Sequence, residues 1–240
     1  MSSDSLTLLE LAKLLNRDAR TLEKQAEQGK LPGKRISGAW KFHRSEVQDW
    51  LEQLIGELND RQLEDVERGI GGQTPQPATL PMLVSPCLTL ETISVNMDAR
   101  TARGVLQKLV DIANGNWQVY TPQEVYDAVR QREELCSTAL PGGIAIPHPR
   151  RPNPDSLGDH VIAFGRTSTG IPFAGPENLL CDLFFLVLCR DEKMHLQVLS
   201  RLARMILRQG FLESLRAAHS AEQILAVIQA TESDVIGQTT

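Results

Sequence analysis

The eleven residues 71–81, GGQTPQPATLP, constrain the fold of this chain most. Two glycines and three prolines without apolar periodicity cannot continue a helix or pair inside a sheet, so the stretch reads as a loop or extended spacer. It divides a 240-residue chain into two modest units. No internal repeat relates one unit to the other.

Neither unit offers a membrane span. The longest apolar run, 183–189, has seven residues, against the ~18 a spanning helix needs, and reads as a buried strand. The N-terminus, MSSDSLTLLELAKLL, lacks the basic and apolar layout of an export signal, so a cytoplasmic protein without membrane contact is expected. Cys87, Cys136, Cys181 and Cys189 are scattered with no C-x-x-C pair. Zinc sites favour closely spaced ligands and disulfides are rare in reducing compartments, so these cysteines read as small core hydrophobes, and neither a metal nor a cofactor is expected. The net charge of −5 hides an asymmetry. Nine lysines and arginines face three acids between Lys13 and Arg44, whereas five acids face two arginines between Glu57 and Gly69. A basic patch on an acidic chain suggests one surface meant for a polyanion.

In the first unit, Leu6, Leu8, Leu9, Leu11, Leu14 and Leu15 are expected to fill one side of a helix, with Thr7 as a possible cap. Asn16 and Asp18 break and restart the chain. Asp18 then caps a second helix over 19–28 that Gly29 ends. Two short helices on a tight turn make a helix-turn-helix. Two short strands around Ser37-Gly38 follow as a wing, and a last helix over 45–54 has Ser45 as its expected cap. Trp40, Phe42 and Trp50 read as core. Residues 56–69 read as a short polar helix or helix tail leading into the spacer.

In the second unit, 88–95 alternates like a strand, and 99–113 and 121–134 read as amphipathic helices, the latter with Thr121 as cap and Pro122 at its first position. Residues 143–146 form a short apolar segment, and 160–167 and 181–189 read as strands. Asp191 caps a helix to about residue 207, and short helices follow near 211–218 and 221–229. Strands buried on both faces among helices argue for a covered sheet.

His148 sits in GGIAIPHPRR, at the end of an apolar strand-like run, where flanking prolines and glycines push a side chain out from a rigid edge. A neutral imidazole is a good nucleophile near neutral pH. A histidine used for phosphoryl transfer needs access for a donor and cations for the phosphate oxygens, and Arg132, Arg150 and Arg151 could supply charge. His195, at the N-terminal end of the next helix's buried stripe, could aim an imidazole at an anion. Taken alone, His148 reads better as a loop histidine without a role, and His195 as a hydrogen-bonded histidine at the core edge. His160 and His219 read as structural or surface residues.

The spacing of Arg132-Glu133, Ser137-Thr138, Gly143-Ile144-Ala145-Ile146-Pro147-His148 and Met194-His195-Leu196 resembles the family-2 IIA domain of the bacterial phosphoenolpyruvate-dependent phosphotransferase system, of the fructose/mannitol and nitrogen-regulatory type, over residues 85–232. The resemblance implies an α/β fold with a central mixed sheet flanked by helices and a histidine phosphorylated by a small phosphocarrier protein. His148 falls on that acceptor, His195 on the second active-site histidine, and Arg132 on the arginine that neutralises the phosphate. The chain departs from the family in Pro141-Gly142-Gly143, where Gly-Asn-Gly is usual, and in Pro149, where glycine is usual.

Leu8-Leu9-Glu10-Leu11-Ala12, Gly29-Lys30-Leu31-Pro32-Gly33, Trp40-Lys41-Phe42 and Val47 with Trp50-Leu51 resemble the excisionase-type branch of the MerR-like winged helix-turn-helix domains. Such a module sets its second helix in the major groove and its wing on the backbone. Arg17, Arg20, Thr21, Lys24, Lys34, Arg35, Lys41 and Arg44 are the candidate DNA contacts, most of them to phosphate, with Arg20 or Lys24 reaching a base edge. The alternative is a solvated basic face on a protein-docking module.

The sequence thus predicts a winged helix-turn-helix over 1–56, a helix tail and linker over 57–84, and an α/β IIA-type domain over 85–240. It predicts a cytoplasmic nitrogen-type regulator that takes phosphate on His148 from a histidine phosphocarrier protein, binds DNA and forms a homodimer. Further partners would be a regulated kinase, a transporter or a IIB domain. Two alternatives stand beside it: a sugar-uptake IIA component serving a IIB partner, and a phosphorylation-silent DNA-binding or interaction protein.

Overall fold

The computed structural model describes residues 5–15, 17–71, 81–173 and 179–237. Asn16 and the spacer residues 72–80 lie outside them.

The first unit is a small winged helix-turn-helix. β1 (Ser5–Thr7) leads into α1 (Leu8–Leu15), and the junction is a capping box. The Glu10 amide donates to Thr7 Oγ1 at 3.2 Å, and the Thr7 amide donates back to Glu10 Oε2 at 2.7 Å. Leu6 therefore lies on a strand, paired with Phe42, and Leu9 is exposed; only the remaining leucines follow the expected helical side. Asp18 caps α2 (Ala19–Glu27) by accepting from the Thr21 amide at 3.0 Å, and Gly29 turns out of it at φ +69°. The wing is β2 (Lys34–Ile36) and β3 (Ala39–His43). Its turn places Ser37 and Gly38 at φ 51° and 82°, the mirror-image geometry that matches strand twist. α3 (Arg44–Ile55) starts one residue earlier than expected: Ser45 lies inside the helix and bonds His43 Nδ1. Phe42 is core, while Trp40 and Trp50 are half-buried.

The second unit is a mixed five-stranded sheet of order β4-β7-β8-β6-β5 among the described residues. Its strands are β4 (Ile93–Ser94), β5 (Ala139–Leu140), β6 (Ile144–Ala145), β7 (Val161–Pro172) and β8 (Leu180–Leu188). β4 runs parallel to β7 and β6 parallel to β8, while β5 with β6 and β7 with β8 are antiparallel. The alternating stretch 88–95 yields only β4, because a 3₁₀ turn (Leu90–Thr92) uses up its middle. Helices α5 (Ala102–Ala113) and α6 (Pro122–Leu135) pack with one apolar cluster on the sheet. α7 (Glu192–Ile206), α8 (Phe211–Ala217) and α9 (Ala221–Gly237) pack with another. α9 runs well past the expected end at residue 229. Thr121 does not cap α6 with its side chain; its hydroxyl donates instead to Ser156 Oγ.

The polar stretch expected as a helix tail is α4 (Asp60–Gly71), and it fastens the two units together. Asn59 and Gln62 exchange backbone-to-side-chain bonds at its start. Leu63 enters the core of the larger unit, while Val66 and Ile70 join the core of the smaller one. Leu196 from α7 belongs to the small unit's core, and Ile55 from α3 to the large one's. The polar face of α4 is buried against arginines. Glu67 bonds Arg201 and, at 3.0 Å, Arg204 Nη1. Arg201 also reaches Glu232, whose carboxylate accepts the amides of Leu83, Val84 and Ser85. Charges this deep are tolerable only when paired. The units are therefore in direct contact, and not merely tethered.

Candidate active site

β6 ends by passing Ile146 and Pro147 along the edge of β8, where the Pro147 carbonyl accepts the Val187 amide at 3.0 Å. This sets His148 at a fixed point. The preceding Gly142 and Gly143 sit at φ +94° and +81°. A Cβ on Gly143 would meet Arg216 Nη2 at 2.9 Å and Asp182 Oδ1 at 3.0 Å. Two successive left-handed residues explain the two glycines here.

His148 Nδ1 lies 2.7 Å from the Ile146 carbonyl, which can only accept, so Nδ1 carries a proton. In a neutral ring the lone pair then sits on Nε2. His195 lies in the first turn of α7, whose cap is the Asp191 side chain on the Met194 amide at 2.9 Å. The rings of His148 and His195 meet edge to face, with centroids 5.1 Å apart. Arg132, in the last turn of α6, is held by a bond from Nη1 to the Cys136 carbonyl at 2.8 Å. Next to it Glu133 accepts both the amide and the hydroxyl of Thr138, which shapes the loop before β5. Burial raises the Glu133 carboxyl above its ordinary value, against the pull of those bonds.

The three sequence-predicted site residues converge, and on a group that sequence reasoning missed. The Glu52 carboxylate of α3 lies between them. Oε2 is 3.2 Å from His148 Nε2 and 3.5 Å from Arg132 Nε, and Oε1 is 3.2 Å from His195 Nε2. Its side chain is 1% exposed. Burial would raise this carboxyl, but the hydrogen bonds from His148 and His195 outweigh it and hold Glu52 far below the usual carboxylate range. Burial pushes the His195 imidazole below its ordinary value, against its Glu52 bond. A neutral His195 donates from Nε2, which leaves Nδ1 buried without a partner. Beside the cluster, Arg150 makes a two-pronged contact with Asp49 of α3, at 3.2 and 2.5 Å. Arg151 instead faces Glu192 at 3.9 Å.

His148 is thus buried, not the exposed loop histidine expected from its neighbours, and the Glu52 carboxylate of α3 lies against its Nε2. The Glu52, His148 and His195 ligand atoms lie within 4.8 Å of one another, a set that could hold a divalent cation. The nearby Arg132 guanidinium makes the site better suited to an anion.

The candidate DNA contacts lie on and just before α2, on the wing strands and at the start of α3. Arg20, Thr21 and Lys24 are exposed on α2, though the Thr21 hydroxyl already bonds Asp18. Lys34 and Arg35 are exposed on β2; Lys34 pairs in register with Lys41, and Arg35 lies over Trp40 and near Glu23. Arg17, Lys41 and Arg44 are half-buried. His160 Nδ1 accepts the Arg190 amide, a structural role, and His219 lies between α8 and α9. Cys87, Cys181 and Cys189 are buried as expected, and Cys136 is exposed. No helix among the described residues is long and apolar enough to cross a membrane.

Residues 87–231 match the family described as phosphoenolpyruvate-dependent sugar phosphotransferase system, EIIA 2, and residues 5–54 match a helix-turn-helix domain. Over 149 residues the chain is 28% identical to the fructose-specific EIIABC component of this system from Bacillus subtilis, which covers 61% of this chain but only 23% of that protein. Over 148 residues it is 29% identical to a nitrogen regulatory protein of Bradyrhizobium diazoefficiens, covering 61% of this chain and 92% of that one. The crystal structure of nitrogen regulatory protein IIA-Ntr from Neisseria meningitidis aligns at a TM-score of 0.56 and 27% identity, over 61% of this chain and 99% of that one. The chain belongs to the EIIA 2 family of the phosphoenolpyruvate-dependent sugar phosphotransferase system and carries a helix-turn-helix domain ahead of its EIIA unit.

Proposed function

We propose that His148 accepts a phosphoryl group from a histidine phosphocarrier protein, and that the chain is a nitrogen-type regulator whose helix-turn-helix module binds DNA. The observation that carries the site assignment is the convergence of His148 Nε2, His195 Nε2 and the Arg132 guanidinium on one point now held by a carboxylate. With Nδ1–H tied to Ile146, the Nε2 lone pair of a neutral His148 attacks phosphorus as the donor's N–P bond breaks. The N–P electron pair returns to the donor imidazole, and the His148 ring keeps its Nδ1–H toward the Ile146 carbonyl. His195 donates from Nε2 to one phosphate oxygen, and Arg132 offsets the charge of another.

Fusion to a helix-turn-helix domain and likeness to nitrogen regulatory proteins support the regulatory reading. The exposed cations of α2 and the wing support DNA as the polyanion. One such module buries little surface, so the protein would act as a cytoplasmic homodimer. Its output would be a regulated kinase or transporter, or transcription itself. The likeness to a fructose-specific component favours a second reading, in which phosphate passes on to a IIB domain.

Incubation with phosphoenolpyruvate, the first relay enzyme and a phosphocarrier, read by intact mass, tests the site. Uptake of one phosphoryl group that is lost in His148→Ala is expected; uptake by that variant would refute the assignment. Transfer onward to a purified IIB domain would select the sugar reading. DNA affinity that falls steeply with salt and falls further in Arg20→Ala is expected, and salt-insensitive or absent binding would refute the DNA arm.

A further inference from the structure

Glu52 belongs to the DNA-binding module yet is the most central group of the EIIA site. It is one of two acidic residues, with Asp49, that α3 directs at this surface. Each meets a cation or ring donor there: Asp49 the fork of Arg150, and Glu52 the trio of Arg132, His148 and His195. Apolar contacts continue the interface, with Leu196 of α7 packed into the small unit's core beside Val47 and Leu51 of α3.

We infer that Arg132, His148 and His195 form a carboxylate-binding site whose occupant is Glu52 of the same chain, in the place a phosphoryl group on His148 would take. This rests on the reading of His148 as acceptor. A carboxylate and a phosphoryl group share planar or tetrahedral arrays of anionic oxygens that accept from the same donors. Oε1 takes the His195 N–H, and also the side-chain amide of Gln48 from its own helix at 3.0 Å, and Oε2 takes His148 Nε2 and Arg132. Docking of α3 and phosphorylation of His148 then exclude one another on two counts. The carboxylate fills the space in front of Nε2. A phosphocarrier also cannot reach a side chain this buried. Once His148 is phosphorylated, the phosphoryl oxygens take over His195 and Arg132 and repel the displaced carboxylate. The basic residues of α2 are exposed in the docked arrangement. Phosphate therefore changes how the module is held, and not whether its recognition helix is uncovered.

The test uses full-length wild type, Glu52→Gln and Glu52→Ala. Phosphoryl uptake from phosphoenolpyruvate through the relay is timed by intact mass. Backbone amide exchange over 44–55 and 146–151 is measured before and after. Both variants are expected to take phosphate faster than wild type, by about tenfold or more for loss of a charge-assisted bond. Phosphorylation of wild type is expected to speed exchange in 44–55. Equal rates in all three chains, with exchange over 44–55 unmoved by phosphate, would overturn the inference and leave His148 as acceptor. If no chain takes phosphate, the acceptor assignment fails, and exchange over 146–151 alone decides the carboxylate site. Faster exchange there in both variants supports it, and identical exchange overturns it. A zinc ion retained by wild type in native mass spectra and lost in Glu52→Gln would also overturn it.

Discussion

Glu67→Gln should destabilise the whole chain, although Glu67 lies in neither the proposed DNA-binding face nor the proposed phosphoryl site. Its carboxylate is fully buried and accepts from two guanidiniums, Arg201 and Arg204, of a helix in the other unit. Glutamine keeps the shape but removes the charge and turns one oxygen into a donor that faces donors. Breaking one side of a buried pair costs about 3–5 kcal/mol. The lower end applies here, because Arg201 keeps Glu232 and the Pro81 carbonyl, and Arg204 keeps Asp60 and the Val235 carbonyl. At about 2–4 °C per kcal/mol for a chain of this size, a loss of roughly 3 kcal/mol lowers Tm by roughly 6–12 °C. Differential scanning calorimetry at neutral pH reads this directly. A Tm within about 1 °C of wild type would mean that α4 does not seat on α7, and the joined arrangement of the two units would be wrong.

Other outcomes follow from the same contacts. Leu196→Ala, a change within the EIIA unit, should cost about 2–3 kcal/mol in urea unfolding, a large-to-small core substitution, and should loosen amide exchange in α1 and α3, because Leu196 packs in their core. Stability should fall as pH drops through the ordinary histidine value of 6.5. Burial holds His195 below that value, so the unfolded chain binds more protons there. A second loss below 4.5 comes from Glu52, which its histidine bonds, outweighing burial, hold low in the folded chain. Thermal melts from pH 7.5 to 5.5 (roughly the histidine range) should show a flatter slope in His195→Asn; an unchanged slope would exclude His195 as the source. Ellman's reagent should label Cys136 promptly and the other cysteines only on unfolding. Burial pushes the Cys87 and Cys181 thiols up to about 12 and raises Cys189 as well; prompt labelling of two or more would contradict this.

Much of the fold was legible in the residues because its signals are local. Asp18 and Asp191 cap their helices as such residues do at that spacing. Ser37-Gly38 makes the wing turn, and the apolar run 183–189 is a strand buried between helices. Misreadings arose where tertiary contacts overrule local pattern. The alternation in 88–95 is broken by a 3₁₀ turn. The polar helix expected within 56–69 forms, but nothing local shows that α7 buries its acids against arginines. Arg132 and His195 are singled out by resemblance to the family, whose motif spacing they match, and the structure brings both beside His148. Glu52 carried no such signal. It sits in an ordinary amphipathic helix, 96 residues from His148 and 143 from His195, and only docking of one unit on the other brings it into the site. An acid beside Leu51, on a helix with a second acid one turn earlier, is too common a pattern to single out.

The most direct test of the account is which nitrogen takes the phosphate. Nδ1 of His148 is committed to the Ile146 carbonyl, whereas Nε2 faces His195 and Arg132 across the carboxylate of Glu52. Nuclear magnetic resonance of the phosphorylated chain, with ¹⁵N-labelled histidine and ³¹P coupling, separates the two positions. The account predicts a single phosphohistidine, at Nε2 of His148. Phosphate on Nδ1 of His148, or on His195, would contradict it.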